Sequence, residues 1–176
     1  MLEGFLRQQI LEPFHYPVPP APRTAVLVPW FRPPLLASQP IRMFPQGFGE
    51  EAMRFKPLAI AATAEQCRVM CGFLIPSLSH ALIVLERPSW PRLTEADRNA
   101  FWRAFRVPMF EQIIGPAGHL LAGECEAHEG MHIEAPGLRL TQDMLDSTPC
   151  PCGKSVPRFG VRPAAQQERR VAAYAR

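Results

Sequence analysis

The chain has 176 residues, a formal net charge of +3 and 47% hydrophobic residues. This apolar content is enough to bury one core of ordinary size, so it favours a single domain and excludes disorder throughout the chain. Five cysteines are too few for a disulfide-rich mini-protein of this length, and the scattered positive charges disfavour nucleic-acid binding.

Prolines are concentrated near the N-terminus, where residues 13–45 hold 10 of the 21 in the chain. Proline fixes φ and removes a backbone donor, so we expect neither a long helix nor an interior strand in this segment. We predict that residues 1–60 form an extended arm packed on the core by apolar side chains such as Trp30 and Phe31. The alternative is a polyproline II ligand around Pro17–Pro20.

The sequence predicts a cytoplasmic protein. Its first residues include an acidic side chain, Glu3, and no apolar run, so they lack the features of a signal peptide. The most apolar stretch, residues 72–85, is shorter than the ~20 residues of a membrane-spanning helix. In the cytoplasm thiols stay reduced, which favours metal binding over disulfides for paired cysteines.

Local patterns predict a core over residues 61–163. A β-rich apolar run predicts a buried strand at 81–85. Thr94 and Asp97 form a weak capping box that begins a helix, and Pro108 ends it. The other predicted elements are a strand at 55–60, a short helix at 64–70, strands at 109–114, 119–124, 131–135 and 138–140, turns at 115–118 and 129–130, and a terminal helix or tail at 164–176. The predicted class is α/β or α+β, with a small mixed sheet and flanking helices.

Cysteines and histidines in the C-terminal third have the spacing of metal ligands. Cys125, His128 and His132 form a C-x2-H-x3-H pattern, and Cys150 and Cys152 follow in a C-x-C-G turn. Zinc prefers four soft or borderline ligands, which proteins supply as two close pairs on turns or hairpins. The glycine after Cys152 suits the tight turn that such a pair needs.

The sequence leaves the histidine ligand open. His128 has the usual tight spacing from Cys125, whereas His132 lies across a predicted hairpin, where cross-strand neighbours approach within ~5.5 Å. The hairpin geometry favours His132. Four protein ligands leave no open position on the metal, so the predicted role of the zinc is structural.

Other candidate residues carry weaker patterns. Cys67 and Cys71 stand four residues apart in an apolar helix, where free cysteine behaves as a small hydrophobic residue. The remaining histidines have no partner pattern; they are His15, His80 and His119. The sequence contains neither a G-x-S-x-G elbow nor a Walker motif, so no catalytic residue is predicted.

The C-terminal half resembles the phenylacetate–coenzyme A ligase branch of the adenylate-forming enzymes. The matching segments are 93–111, then 124–133 with its Glu-Cys and Gly-Met-His, and 150–159 with its Cys-Pro-Cys-Gly and Pro-Arg-Phe. The resemblance implies a fragment of an AMP-forming ligase fold over residues 93–159. It also implies a structural zinc, since some members of that branch bind one through these cysteines and the histidine.

The chain departs from that family at its ATP-site motifs. Residues 1–92 contain no Ser/Thr/Gly-rich phosphate loop, and the family's Tyr-Gly-x-x-Glu loop would fall at Ile114–Gly118, where both the tyrosine and the glutamate are absent. The ribose-contacting Arg-x-x-Asp and the catalytic lysine of the lid domain are also missing. Adenylyl transfer depends on positioned charges around the phosphates, so these departures predict a chain that does not adenylate an acid.

The sequence therefore predicts a non-catalytic, zinc-stabilised accessory or binding module that meets a protein partner or a second copy of itself. The alternative is a degenerate or split AMP-forming acyl- or aryl-CoA ligase subunit, which binds an acid or nucleotide together with another chain. Nucleic acid and membrane are not expected as partners.

Overall fold

A computed structural model describes residues 22–30, 40–90 and 92–160. Predictions that fall on residues 1–21, 31–39 and 161–176 lie outside this part of the chain; they include the Pro17–Pro20 ligand, His15 and the terminal helix or tail.

The described residues form nine strands and three α-helices. The strands are β1 (Thr24–Val26), β2 (Ile41–Met43), β3 (Ala59–Ala62), β4 (Ala81–Glu86), β5 (Met109–Ile114), β6 (Leu120–Glu124), β7 (Met131–Ile133), β8 (Leu145–Asp146) and β9 (Arg158–Phe159). The helices are α1 (Glu50–Phe55), α2 (Ala64–Met70) and α3 (Glu95–Phe105), and a short 3-10 turn covers Gln142–Met144. The predicted mixed α/β class is confirmed.

All nine strands belong to one sheet with the order β2-β1-β3-β4-β5-β6-β7-β9-β8. Strands β1 to β5 pair in parallel, and the pairs from β5 to β8 are antiparallel. The sheet therefore has a parallel half, β1 to β5, and an antiparallel half, β6 to β9. Strand β5 is the junction between the two halves.

The three helices pack on one face of the parallel half. Alternate residues of β3 and β4, such as Ile60 and Leu82, join Met70 of α2 and Phe101 and Phe105 of α3 in one apolar cluster. The intervening strand residues, such as Ile83, belong to a second cluster on the opposite face. Both faces of β3 and β4 are buried, which explains why these strands read as continuous apolar runs.

Several local predictions are confirmed by the structure. Helix α2 spans the predicted residues, and β4 contains the predicted run 81–85. Thr94 caps α3 through a complete capping box, in which its hydroxyl accepts from the Asp97 backbone N–H. The helix ends at Phe105, because Arg106 adopts a left-handed conformation two residues before Pro108.

Three predictions are wrong. The strand expected at 55–60 begins only at Ala59, because Phe55 ends α1 and Lys56 adopts a left-handed conformation. Strand β1 is an interior strand between β2 and β3, although it lies in the Pro-rich segment. Pro22 and Pro29 flank its three residues without interrupting them, so every residue of β1 keeps its backbone donor. Residues 138–140 form no strand; Leu138 and Leu140 pack on the apolar cluster of the antiparallel half without pairing to the sheet.

None of the helices in the described ranges combines the length and the apolar character needed to cross a bilayer.

Candidate metal centre

Three elements bring four potential metal ligands together in the antiparallel half. Cys125 directly follows β6, His132 lies on β7, and Cys150 and Cys152 belong to the turn that precedes β9. Strands β6 and β7 pair as the predicted hairpin, and β7 also pairs with β9. Within the described ranges, the ligand atoms of these four residues all lie within 4.8 Å of one another.

The distances within the cluster fit a tetrahedral site. Tetrahedral bonds of about 2.3 Å to sulfur and about 2.05 Å to nitrogen place two sulfurs about 3.8 Å apart, and a sulfur and a nitrogen about 3.5 Å apart. The Sγ atoms of Cys125 and Cys150 are 3.6 Å apart, and Cys152 Sγ lies 3.4 Å from His132 Nε2. These two distances between ligand atoms therefore match a tetrahedral site, and all four ligand atoms lie close enough together for one ion to gather them.

Local backbone conformation explains how the two cysteines of the turn converge. Gly153 has φ of +85°, in the left-handed region that side chains rarely adopt. Its N–H donates to the Cys150 carbonyl at 2.9 Å, which closes the turn around the two sulfurs. The glycine of the C-x-C-G pattern is thus required by the turn itself.

The protonation of the cluster is set by burial and by the neighbouring groups. Burial raises the pKa of the Cys125 thiol to about 12. Burial also raises that of Cys150, but the Cys152 backbone N–H, the neighbouring thiols and the Arg158 charge outweigh it and lower the Cys150 pKa. Burial and the charge of Lys154 lower the pKa of His132, which favours the neutral imidazole that binds metals. A divalent cation bound by these residues would favour the deprotonated form of the thiols.

His128 lies outside this group of four. Its ring stacks on Phe110, with centroids 5.0 Å apart and planes 29° apart, and its Nδ1 is 4.0 Å from Glu124 Oε2. The residue stands in the turn after Cys125 with φ of +52°, and it is not among the four residues whose ligand atoms converge. Of the two candidate histidines, His132 joins the cysteines.

Two basic residues flank the cluster. Arg158, almost fully buried, donates to the Asp146 carboxylate at 3.2 Å and to the Glu129 carboxylate at 3.3 Å. Lys154 Nζ is 2.6 Å from Glu134 Oε1. These ion pairs hold β8, β9 and the ligand turn against the hairpin, and they place positive charge beside the thiols.

A buried charge network next to the cluster was not predicted from the sequence. Arg98 of α3 donates to Glu111 at 2.7 Å and to Glu124 at 2.7 Å, and all three residues are buried. Arg92 also donates to the Glu111 carboxylate. Arg98 shares the inner helix face with Phe101 and Phe105, at spacings of three and seven residues, and this periodicity is the signal that could have revealed its burial.

The remaining candidates lie apart from the metal ligands. Cys67 is fully buried, and burial raises its pKa well above the usual value. Cys71, at the end of α2, is half-buried. Neither joins the cluster formed by the described residues, and neither do His80 and His119.

The fold resembles that of a solved acyl-CoA ligase. The crystal structure of an open conformation of 2-hydroxyisobutyryl-CoA ligase, in complex with 2-HIB-AMP and CoA, matches with a TM-score of 0.57 and 12% sequence identity. The match covers 81% of this chain and 44% of the ligase chain, so this chain spans less than half of that protein's length. At this identity the likeness shows a shared fold alone.

No protein-family model matches the chain, and no curated protein matches it either. The resemblance to acyl-CoA ligases that was predicted from three sequence segments is confirmed at the level of a distant structural likeness. Assignment to the phenylacetate–coenzyme A ligase branch stays a prediction.

Proposed function

We propose that Cys125, His132, Cys150 and Cys152 bind one zinc ion with a structural role. The observation that carries this proposal is the convergence of four ligand atoms within 4.8 Å. Three sulfurs and one imidazole nitrogen suit zinc better than magnesium or calcium, which prefer oxygen ligands. Since all four positions are taken by protein atoms, the bound ion would have no open site for a substrate.

Such an ion would fasten the end of the described chain to the hairpin. The turn that carries Cys150 and Cys152 leads into β9, which pairs with β7 and β8 through strands of only two or three residues. Short strands of this kind give little stability alone. Metal binding supplies folding free energy to segments that cannot bury enough apolar surface.

The zinc proposal is tested by the metal content of the purified chain and of four single variants. We expect about one zinc per wild-type chain, a large loss in Cys150→Ser and His132→Ala, and no loss in His128→Ala. Cys71→Ser is the matched control, because this half-buried cysteine lies outside the cluster. Equal zinc content in wild type and Cys150→Ser would contradict the proposed site. Loss of zinc in His128→Ala but not in His132→Ala would identify His128 as the histidine ligand.

At the level of the whole chain, we propose a non-catalytic accessory module that uses a ligase-type scaffold to bind a protein partner or a second copy of itself. The support is chemical: the turn at Ile114–Gly118 has neither the tyrosine nor the glutamate of the family's adenylate loop. Exposed apolar side chains offer a contact surface at the end of α2, where Val69 is 67% and Leu74 87% exposed.

The structural likeness supports a second candidate, a subunit of a split AMP-forming ligase. The matched ligase is described in complex with an acyl adenylate and CoA, so a chain with this fold could retain part of such a site. Calorimetric titration of ATP into the purified chain separates the two proposals. The accessory module predicts no binding heat, whereas the split ligase predicts measurable binding that increases when the completing chain is added.

A further inference from the structure

A cleft in the parallel half of the sheet is lined mostly by arginines. Three structural elements contribute to it: the segment before β1, the strand β2 and the helix α1. Its lining residues are Arg23, Arg42, Glu51, Arg54 and Phe55, and its volume is about 520 Å³. This volume falls within the range of roughly 300–1,000 Å³ that is typical of small-ligand sites.

Among the described residues, the three guanidinium groups lack strong acidic partners. Arg23 donates its Nε to the Lys56 carbonyl at 2.9 Å, and Arg42 lies over the Phe44 ring at 5.3 Å. Within the described part of the chain, Arg54 has an ion pair only with Glu50, at 3.6 Å, and both side chains are at least 70% exposed. An exposed ion pair of this kind contributes little to stability, so Glu50 holds Arg54 only weakly.

Other arginines of the described chain are paired more tightly. Arg68 donates twice to Asp97, at 2.8 and 3.0 Å, and Arg98 and Arg158 each contact two carboxylates. Like charges that converge without such partners repel one another, so the cleft favours an anion that neutralises them. Arginine is suited to this because its planar fork binds phosphate and carboxylate groups through paired hydrogen bonds.

Two of the arginines are held in place before any ligand binds. The bond from Nε to the Lys56 carbonyl restrains the side chain of Arg23, and the contact with the Phe44 ring restrains that of Arg42. Phe55 gives the cleft an apolar wall and packs against the buried Phe44, with ring centroids 5.5 Å apart. Such pre-organisation lowers the entropy cost of binding.

We propose that this cleft binds a small anion with two or more negative charges, such as a phosphorylated or polycarboxylate metabolite. None of its residues belongs to the metal cluster, so this site is independent of the proposed zinc. Glu51 is the single acidic residue among the described lining residues; these side chains together carry a net charge of about +2, and Glu51 opposes the anion.

Calorimetric titration of inorganic pyrophosphate and of citrate into the full chain at low ionic strength tests the site. Binding of either probe supports the site. Tighter binding of pyrophosphate indicates a phosphorylated ligand, and tighter binding of citrate indicates a polycarboxylate. We expect Arg23→Gln, Arg42→Gln and Arg54→Gln each to weaken binding about tenfold, because each removes a charged hydrogen-bond donor. Glu51→Gln should strengthen binding about threefold, because it removes a repulsive charge.

Arg103→Gln is the matched control, since Arg103 is an exposed arginine on α3 outside the cleft. It should bind the probes as wild type does, and raised salt should weaken binding to all variants. Absence of binding to both probes, equal weakening by Arg103→Gln, or weaker binding by Glu51→Gln would overturn the proposal. Far-UV circular dichroism checks that each variant is folded.

Discussion

The two halves of the sheet are stabilised in different ways. In the parallel half, every residue of β3 and β4 is buried, and the main cluster on the helix-covered face contains fifteen buried residues within the described ranges. In the antiparallel half, the corresponding cluster of described residues contains five, one of which, Ile113, lies on the junction strand β5. Apolar burial can therefore stabilise the parallel half, whereas the smaller apolar cluster of the antiparallel half leaves a larger share to its ion pairs and to the proposed zinc.

This difference follows from strand length and topology. The parallel strands β4 and β5 are six residues long, and helices cover one of the sheet's faces. Strands β7, β8 and β9 have three, two and two residues, and too few side chains to build a large core. The ligand turn and the ion pairs of Arg158 connect these short strands to one another.

The largest expected effect comes from removing the proposed zinc. Chelation, or Cys150→Ser, should open the antiparallel half while the parallel half stays folded. Zinc binding contributes on the order of 10 kcal/mol of folding free energy in small zinc-dependent domains. The loss of stability here should therefore exceed that caused by any of the substitutions discussed below. Amide hydrogen exchange should show lost protection in β7 and β9 and retained protection in β3 and β4.

The same experiment can show that the two halves are not stabilised in different ways. Equal loss of protection in both halves would show that the chain unfolds as one unit and that the two halves are not separately stabilised. Unchanged protection in β7 and β9 after complete chelation would show that the antiparallel half does not need the ion. Cys71→Ser, with the metal cluster intact, provides the reference exchange pattern.

The next effect is expected at the junction between the halves. Arg98 of α3 contacts Glu111 on β5 and Glu124 on β6, and Arg98→Met would leave the Glu124 carboxylate buried without its counter-charge. Breaking one side of a buried ion pair typically costs about 3–5 kcal/mol. Urea unfolding followed by circular dichroism should show this loss in the free energy of unfolding.

A double variant separates charge from packing at the junction. Arg98→Met combined with Glu124→Gln removes both charges, so it should recover part of the stability that Arg98→Met loses. An unfolding free energy equal to the sum of the two single effects would show that the pair is not coupled. Because Glu124 precedes Cys125, zinc content is measured on every variant of the cycle.

Much of the parallel half could be predicted from the sequence because its signals are local. A continuous apolar run predicts β4, and Thr94 with Asp97 predicts the start of α3. Strand β1 could not be predicted in this way, because the prolines around it suggest an arm. Its position between β2 and β3 depends on long-range pairing, which no short window of sequence contains.

The candidate metal ligands were visible as a pattern, but their geometry was not. Spacing identified three cysteines and two histidines, and only the fold places His132 with the cysteines while His128 stacks on Phe110. The network of Arg98 and Glu111 was missed because its members come from different elements. Single-sequence periodicity can indicate that a charged residue is buried, but it does not identify the partner.

Glu86 is a buried polar residue in the otherwise apolar strand β4, and its replacement tests how a buried carboxyl group affects the stability of the parallel half. This residue ends β4 with 3% exposure, and burial raises its pKa from 4.5 to about 7. Between these two pH values the folded state holds a proton that the unfolded state has released. Stability from this group therefore falls as pH rises from about 4.5 to about 7, by at most about 3 kcal/mol.

Glu86→Gln removes this titration. The difference in unfolding free energy between the variant and wild type should grow in favour of the variant over that pH window and stay constant above it. Urea unfolding at a series of pH values measures the difference. A difference that does not change with pH would show that the Glu86 carboxyl titrates normally in the folded chain.

The smallest expected effect is at the helix caps, which belong only to the parallel half. Thr94 and Thr63 each accept a hydrogen bond from a backbone N–H at the start of α3 and α2, and replacing such a cap by alanine costs about 1 kcal/mol. Both helices pack on the parallel half, so Thr94→Ala and Thr63→Ala should lower its stability alike. Neither change should alter zinc content or hydrogen exchange in β7 and β9; a loss there would mean that the helix caps also stabilise these two strands.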